Sequence, residues 1–200
     1  MSLDYAILGW LSTGEGSGYD LVRQLDLGLS WFWSAAHSQI YPRLRELEAQ
    51  GLITSTQVTV GSKMEKRVYE ITDAGREQVR QWTEQPPTYP PNRDSERLKL
   101  IFGDHGNVQA LRQHLETHLE HYRERRESLR AYVEQITSRQ HERIERRIAA
   151  APTEAHGELT LGLREMAYRG NLRRAEQEIS WASEALEWLD AFEKRHTEEQ

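Results

Sequence analysis

The chain has 200 residues with 26 Lys and Arg against 32 Asp and Glu, a formal net charge of -6, 29% charged residues and no cysteine. Without cysteine there is no disulfide scaffold, thiol nucleophile or Cys-based zinc site, and no run of about 18 apolar residues is available to span a bilayer. Met1-Ser2-Leu3-Asp4 carries no basic stretch ahead of an apolar one, so the reading is a cytoplasmic protein long enough to bury a core.

Charge is spread evenly: residues 1–85 hold 8 Lys and Arg against 11 Asp and Glu, and the remainder 18 against 21. Bulk charge therefore does not advertise a nucleic-acid partner, and only the local placement of cations can make that case.

Leu3 to Leu11 reads as a helix, with Leu3, Ile7, Leu8, Trp10 and Leu11 apolar and Ser12-Thr13-Gly14-Glu15-Gly16 as its stop. Ser17-Gly18-Tyr19-Asp20 is a short relative of the capping box and opens a second helix whose inner face is Leu21, Val22 and Leu25. A third helix is expected over Ser38 to Gln50, since Ile40, Leu44 and Leu47 recur at helical spacing and Gly51 is a natural left-handed stop. At about 100° per residue, Ser38, Pro42 and Arg45 point away from that stripe, with Gln39 and Tyr41 on its flanks. Arg43 leans toward the apolar side. A proline deep in a helix costs about 3 kcal/mol, so this helix is expected to start within a turn of Pro42.

After Gly51 the period changes. Ile53 to Val60 is rich in β-branched residues, Gly61-Ser62 is a turn signal, and Arg67 to Ile71 alternates, which together read as a β-hairpin. Its expected tip, Gly61 to Arg67, carries Lys63, Lys66 and Arg67 against the single anion Glu65. Thr72 is placed to cap a fourth helix running to about Thr83. Pro86-Pro87-Thr88-Tyr89-Pro90-Pro91 holds four of the six prolines and marks a semi-rigid linker. The expected division is a first domain over 1–85, a linker over 86–92 and a helical domain over 93–200.

Beyond the linker, Asn107 to Ala150 reads as one long helix on Val108, Leu111, Leu115, Leu119, Tyr122, Leu129, Val133 and Ile136. A last helix from Glu158 to Glu193 places Leu163, Met166, Ile179, Ala182, Leu186, Leu189 and Phe192 on one stripe. Long helices with narrow stripes call for a partner, and a two-fold copy is the commonest, with an intramolecular hairpin as the competing arrangement.

Short helices, a hairpin with a cationic tip and a closing helix make a mainly α protein: a winged helix-turn-helix with a small β wing, followed by long dimerisation helices. The residues carry a family resemblance as well. Gly14 to Leu21 (GEGSGYDL), Ser38 to Gly51 (SQIYPRLRELEAQG), Leu52-Ile53 and Tyr69 to Gly75 (YEITDAG) resemble the PadR family of bacterial transcriptional regulators, and Glu96 to Asp104 (ERLKLIFGD) resembles the start of the AphA-like C-terminal domain of its long form. That resemblance implies a homodimer on double-stranded operator DNA. Its third helix would carry Ser38, Gln39, Tyr41 and Pro42 to the DNA, and Lys63, Lys66 and Arg67 would fall on the wing; Arg45 is added on exposure alone. Glu46 and Glu48 on the same helix count against affinity for phosphate.

Trp31-Phe32-Trp33, between the second and third helices, reads either as packing under the recognition helix or, with Trp10 or Trp82, as one wall of a pocket for a small aromatic effector that would release a repressor. Enzymatic signals are absent: there is no Gly-x-Ser-x-Gly and no phosphate-binding Walker sequence, and Gly14 to Gly18 follows a helix rather than a strand. His114, His118 and His121 share a helical face at a spacing that can ligate a metal, yet Glu116, Glu120 and Glu124 beside them favour an ion-paired surface, so no metal or cofactor is assigned. A metal- or ligand-binding helical dimer or scaffold without specific DNA binding stays open as the alternative.

Overall fold

The computed structural model describes residues 3–27, 29–32, 37–60, 64–89, 91 and 93–197, and it divides into two compact units. The first contains residues 1–88 and 141–160, and the second 89–140 and 161–200. A piece of the C-terminal half thus folds with the N-terminal helices, which a single break at the prolines does not anticipate.

In the first unit, α1 (Leu3–Leu11), α2 (Gly18–Leu27) and α3 (His37–Ala49) pack around one apolar core closed by the hairpin β2 (Ile53–Val60) and β3 (Met64–Ile71) and by α4 (Asp73–Glu84). Ile7, Leu8, Leu11, Leu21, Ile40, Leu44, Leu47 and Ile53 are at most 1% exposed. Helix α3 ends in a Schellman turn: the Gly51 amide donates to Glu48 O (2.9 Å) and the Leu52 amide to Leu47 O (3.0 Å), with Gly51 left-handed at φ 71°. Thr72 caps α4, its hydroxyl oxygen accepting from the Gly75 amide at 3.1 Å.

Three local expectations change. Gly16–Ser17 forms a third strand, β1, paired with β3 through Gly16↔Tyr69 and Ser17↔Val68; two residues inside a Gly/Ser turn have no period to betray a strand. Strand β3 begins at Met64, with Lys66 opposite Val58 and Arg67 opposite Gln57, so these two cations belong to the strand rather than to the tip. Pro42 lies inside α3, more than a turn from its start at His37, exposed and without the amide that would bond the carbonyl of Ser38, so the cost of an interior proline is borne by a helix anchored through its buried face.

The segment 141–160 adds α7 (Glu142–Ala149) to this unit. Arg143 lies over the Trp10 ring, 3.9 Å from its centroid, and donates to Thr13 Oγ1 (2.6 Å), Trp10 O (3.0 Å), Gly14 O and Glu15 O (3.4 Å). Arg147 donates to Ser12 O at 3.1 Å. Burial, and after it the neighbouring Arg146 charge, push the Arg143 guanidinium down to about 10 against the smaller pull of the Asp20 carboxylate, while its direct contacts are neutral oxygens and a ring.

The second unit contains α5 (Ser95–Ile101), α6 (Val108–Thr137) and most of α8 (Glu154–Thr197). The long helix expected over 107–150 is broken: Arg139 is left-handed at φ 59°, its amide donates to Ile136 O (3.1 Å) and the Gln140 amide to Gln135 O (2.9 Å), another Schellman turn built here on an arginine. His141 then caps α7. Helices α6 and α8 pair antiparallel within the chain, with Arg112 on Asp190 (2.6 Å), Arg130 near Glu176 (3.6 Å) and the Tyr132 and Tyr168 rings 4.5 Å apart. Ala182 and Leu189 of the expected stripe are buried, whereas Leu163 and Met166 are more than half exposed. No helix among the described residues is long and apolar enough to cross a membrane.

Candidate nucleic-acid interface

Helix α3 separates its residues by face. Ile40, Leu44 and Leu47 are buried against α1 and α2, which fixes the helix in rotation, and Ser38, Gln39, Tyr41, Pro42 and Arg45 all stand exposed. Tyr41 reaches back over the first residue of α2, where a Cβ on Gly18 would lie 2.6 Å from Tyr41 Cε1, so glycine is what lets the ring rest there. Arg45 makes no ion pair among the described residues. Arg43 is turned the other way and is held by Asp4 of α1 and by Glu46, which keeps its guanidinium protonated and neutralises one of the two carboxylates expected to oppose phosphate.

The start of α2 is a closed capping box: the Ser17 amide and hydroxyl donate to Asp20 Oδ2 (3.0 and 2.7 Å) and the Asp20 amide donates to Ser17 Oγ (3.2 Å). Asp20 also receives Lys66 Nζ at 2.9 Å. Burial pushes the Asp20 carboxyl up, but the hydrogen bonds from the Ser17 hydroxyl, Lys66 and the Ser17 amide, with the Lys66 charge, outweigh it and hold the group down to about 2. On the other face of β3, Arg67 pairs with Glu48 Oε2 (2.7 Å) and donates from Nε to Ser55 Oγ (2.7 Å). Glu48 is therefore neutralised too. Both wing cations that are described come with carboxylate partners, and sequence reading missed those partnerships because they join residues far apart in the chain. Lys63 lies outside the described residues.

Of the aromatic group, Trp31 ends the 3-10 turn Leu29–Trp31 half-buried, Phe32 is exposed, and Trp33 lies outside the described residues. Trp10 is covered by Arg143 and Trp82 stacks on Tyr5 at 4.7 Å, so each already has a ring or cation against it. The histidines of α6 separate: His118 sits edge-on to Trp181 with Nε2 3.3 Å from Glu178, His114 is held down in pKa by burial and then by the nearby Lys99 charge, and His121 is exposed. No group of three potential metal ligands occurs among the described residues.

Helices α2 and α3 packed together, with α1 behind them and a three-stranded wing beside them, have the arrangement of a winged helix-turn-helix with an exposed polar face on its third helix. Residues 7–81 match the transcriptional regulator PadR-like family and residues 92–190 the virulence activator alpha C-terminal family. A probable transcriptional regulator of Mycobacterium tuberculosis is 34% identical over 206 aligned positions, covering 98% of this chain and 100% of that one. The chain belongs to the PadR-like family of transcriptional regulators, a family of regulators rather than enzymes.

The negative transcriptional regulator PadR of Bacillus subtilis is 43% identical over 101 residues, half of this chain and 56% of that protein, so the aligned stretch spans little more than half its length. Its structure in complex with operator DNA superposes with a TM-score of 0.70 at 29% identity, covering 93% of this chain and 97% of that one. Its complex with p-coumaric acid gives 0.65 at 28%, covering 94% and 98%. The virulence activator AphA of Vibrio cholerae gives 0.65 at 28% identity, covering 96% and 99%.

Proposed function

We propose that this chain is a cytoplasmic, homodimeric regulator that binds double-stranded operator DNA sequence-specifically and represses until a small aromatic effector releases it. Ser38, Gln39, Tyr41, Pro42 and Arg45 would read the major groove, with the wing cations Lys63, Lys66 and Arg67 supporting that contact. Residues 1–85 are the DNA-binding domain in this proposal, 86–92 the linker and 93–200 the dimerisation domain. Trp31, Phe32 and Trp33 are offered as one wall of the effector site.

The observation that carries the reading is α3, whose apolar stripe is wholly buried while Ser38, Gln39, Tyr41 and Arg45, four side chains able to hydrogen-bond or stack on DNA, stay exposed on a helix held from behind. The operator-DNA and p-coumaric acid complexes of the Bacillus PadR support the ligand classes. The exposed Leu163 and Met166 support a partner copy. Selection of bound duplexes from a random pool tests it. The expected product is a pseudo-palindrome with half-sites about one or two helical turns apart. No enrichment over the input pool would overturn it.

A further inference from the structure

Lys66 and Arg67 are consecutive in β3, so their side chains leave opposite faces of the strand. One face meets α2, where Lys66 Nζ is 2.9 Å from Asp20; the other meets α3, where Arg67 is 2.7 Å from Glu48. The α3 side is a closed triangle, since the Ser55 hydroxyl donates to Glu48 Oε1 (2.5 Å) and Arg67 Nε donates to that same hydroxyl oxygen (2.7 Å). The α2 side is doubled as well: Asp20 is held by Ser17, and Ser17 belongs to β1, which pairs with Val68 of β3. Each helix of the helix-turn-helix is thus tied to one face of the same wing strand.

These cations are poorly placed to bind phosphate. To reach a phosphate, Arg67 must leave a carboxylate and a hydroxyl that it grips through two nitrogens, and the carboxylate it abandons then repels the same phosphate. A cation that stays paired with its carboxylate releases no counterion from DNA.

We infer that Lys66 and Arg67 are positioning residues, which brace the wing between α2 and α3 and set its angle to the recognition helix, while phosphate binding falls to cations outside these pairs. The inference rests on the reading of the first unit as a DNA-binding domain, yet the brace is measurable without DNA.

Two readouts on the full chain test it. In hydrogen exchange on the free protein, Arg67→Gln and Glu48→Gln are each expected to speed exchange of β2 and β3 amides several-fold while α1 amides keep their protection. In anisotropy titrations with the selected duplex, Glu48→Gln is expected to weaken binding three- to tenfold. The opposite sign, tighter binding once a carboxylate is removed from the recognition helix, would overturn the brace. Salt titration separates the roles of Arg67: the slope of log affinity on log salt should stay at the wild-type value in Arg67→Gln, whereas a guanidinium that neutralises a phosphate would, on removal, lower the slope by about 0.9. Unchanged wing exchange in both variants overturns the inference whatever the DNA results. If no duplex is enriched at all, faster wing exchange still supports the brace, and it is the DNA-binding reading that fails.

Discussion

The first unit buries eight large aliphatic side chains to within 1% of complete exclusion from solvent, while the second leaves Leu98, Ile101, Phe102, Leu163, Met166 and Trp188 between 52% and 70% exposed. Helix α6 buries Leu115, Leu119, Leu129, Val133 and Ile136 and α8 buries Tyr168, Ala175, Ala182 and Leu189, with ion pairs from Arg112 to Asp190 and Glu193 and from Arg130 to Glu176 at the margin. Partly exposed ion pairs of this kind contribute at most about 1 kcal/mol each. The core of the first unit is therefore closed within one chain, and the helical unit presents, outside its own buried seam, apolar surface that a second copy would cover. A regulator divided in this way can keep its reading head rigid while dimerisation sets the spacing of two heads on an operator.

The contrast is broken most severely by charging the uncovered face. Leu163→Lys with Met166→Lys is expected to weaken dimerisation at least 100-fold, about 2.7 kcal/mol, in sedimentation equilibrium, with urea unfolding of the first unit unchanged. Unaltered dimerisation would move the interface elsewhere on the unit.

Next in size is the tether inside the first unit. Arg143→Ala removes a cation from the Trp10 face and leaves the carbonyls of Trp10, Gly14 and Glu15 without it, so the first unit should lose about 2 kcal/mol in urea unfolding followed by tryptophan fluorescence. Arg143→Lys should recover less than half, because an ammonium neither stacks flat nor offers the guanidinium fork.

A gain is expected at the end of α6. Arg139 holds a left-handed conformation that costs a side-chain-bearing residue about 1 kcal/mol, and Arg139→Gly should relieve that strain, for a net gain below about 1 kcal/mol in thermal or urea unfolding once the contacts of the arginine side chain are given up. A loss instead would show that the arginine side chain makes interactions worth more than the strain.

The smallest effect is a titration. Asp20 is held at about 2 against an ordinary value of 3.8. With the folded value below the unfolded one, its contribution is complete above about pH 4 and is lost as pH falls through that window toward 2. Protonation frees Lys66 and opens the capping box, so the protection of β3 and α2 amides, taken relative to the intrinsic exchange rate at each pH, should fall as the pH is lowered from about 5 to about 2. Asp20→Asn should remove the pH dependence of that step. The carboxylate is 42% exposed, so the change is expected to be local and not to unfold the unit.

How far the chain could be read depended on the separation of the residues involved. The Schellman turns after α3 and α6 have the same hydrogen bonds, but Gly51 announces the first, whereas Arg139 in a polar run gives no signal and lets one helix be read through 107–150. The exposed face of α3 was legible because a helix converts spacing into direction, and Ile40, Leu44 and Leu47 fix which side is inward. The capping box at Ser17 and Asp20 was legible for the same reason, its two ends lying three residues apart. The wing pairs and the Arg143 tether were not, since they join residues 19 to 133 positions apart, where only the fold decides who meets whom. Strand β1 was hidden by its length, two residues with no period to detect.

The exposed face of α3 is tested most directly by anisotropy titration of the selected duplex, over a range of salt, against wild type and a variant with Tyr41→Ala and Arg45→Ala. Both side chains are solvent-exposed, so the fold should survive, and far-ultraviolet circular dichroism checks that. The expected result is a loss of about 2 kcal/mol or more in operator affinity, with preference for the selected sequence over a scrambled one largely abolished. A correctly folded variant that binds the selected duplex as tightly and as selectively as wild type would contradict the assignment of α3 as the reading helix.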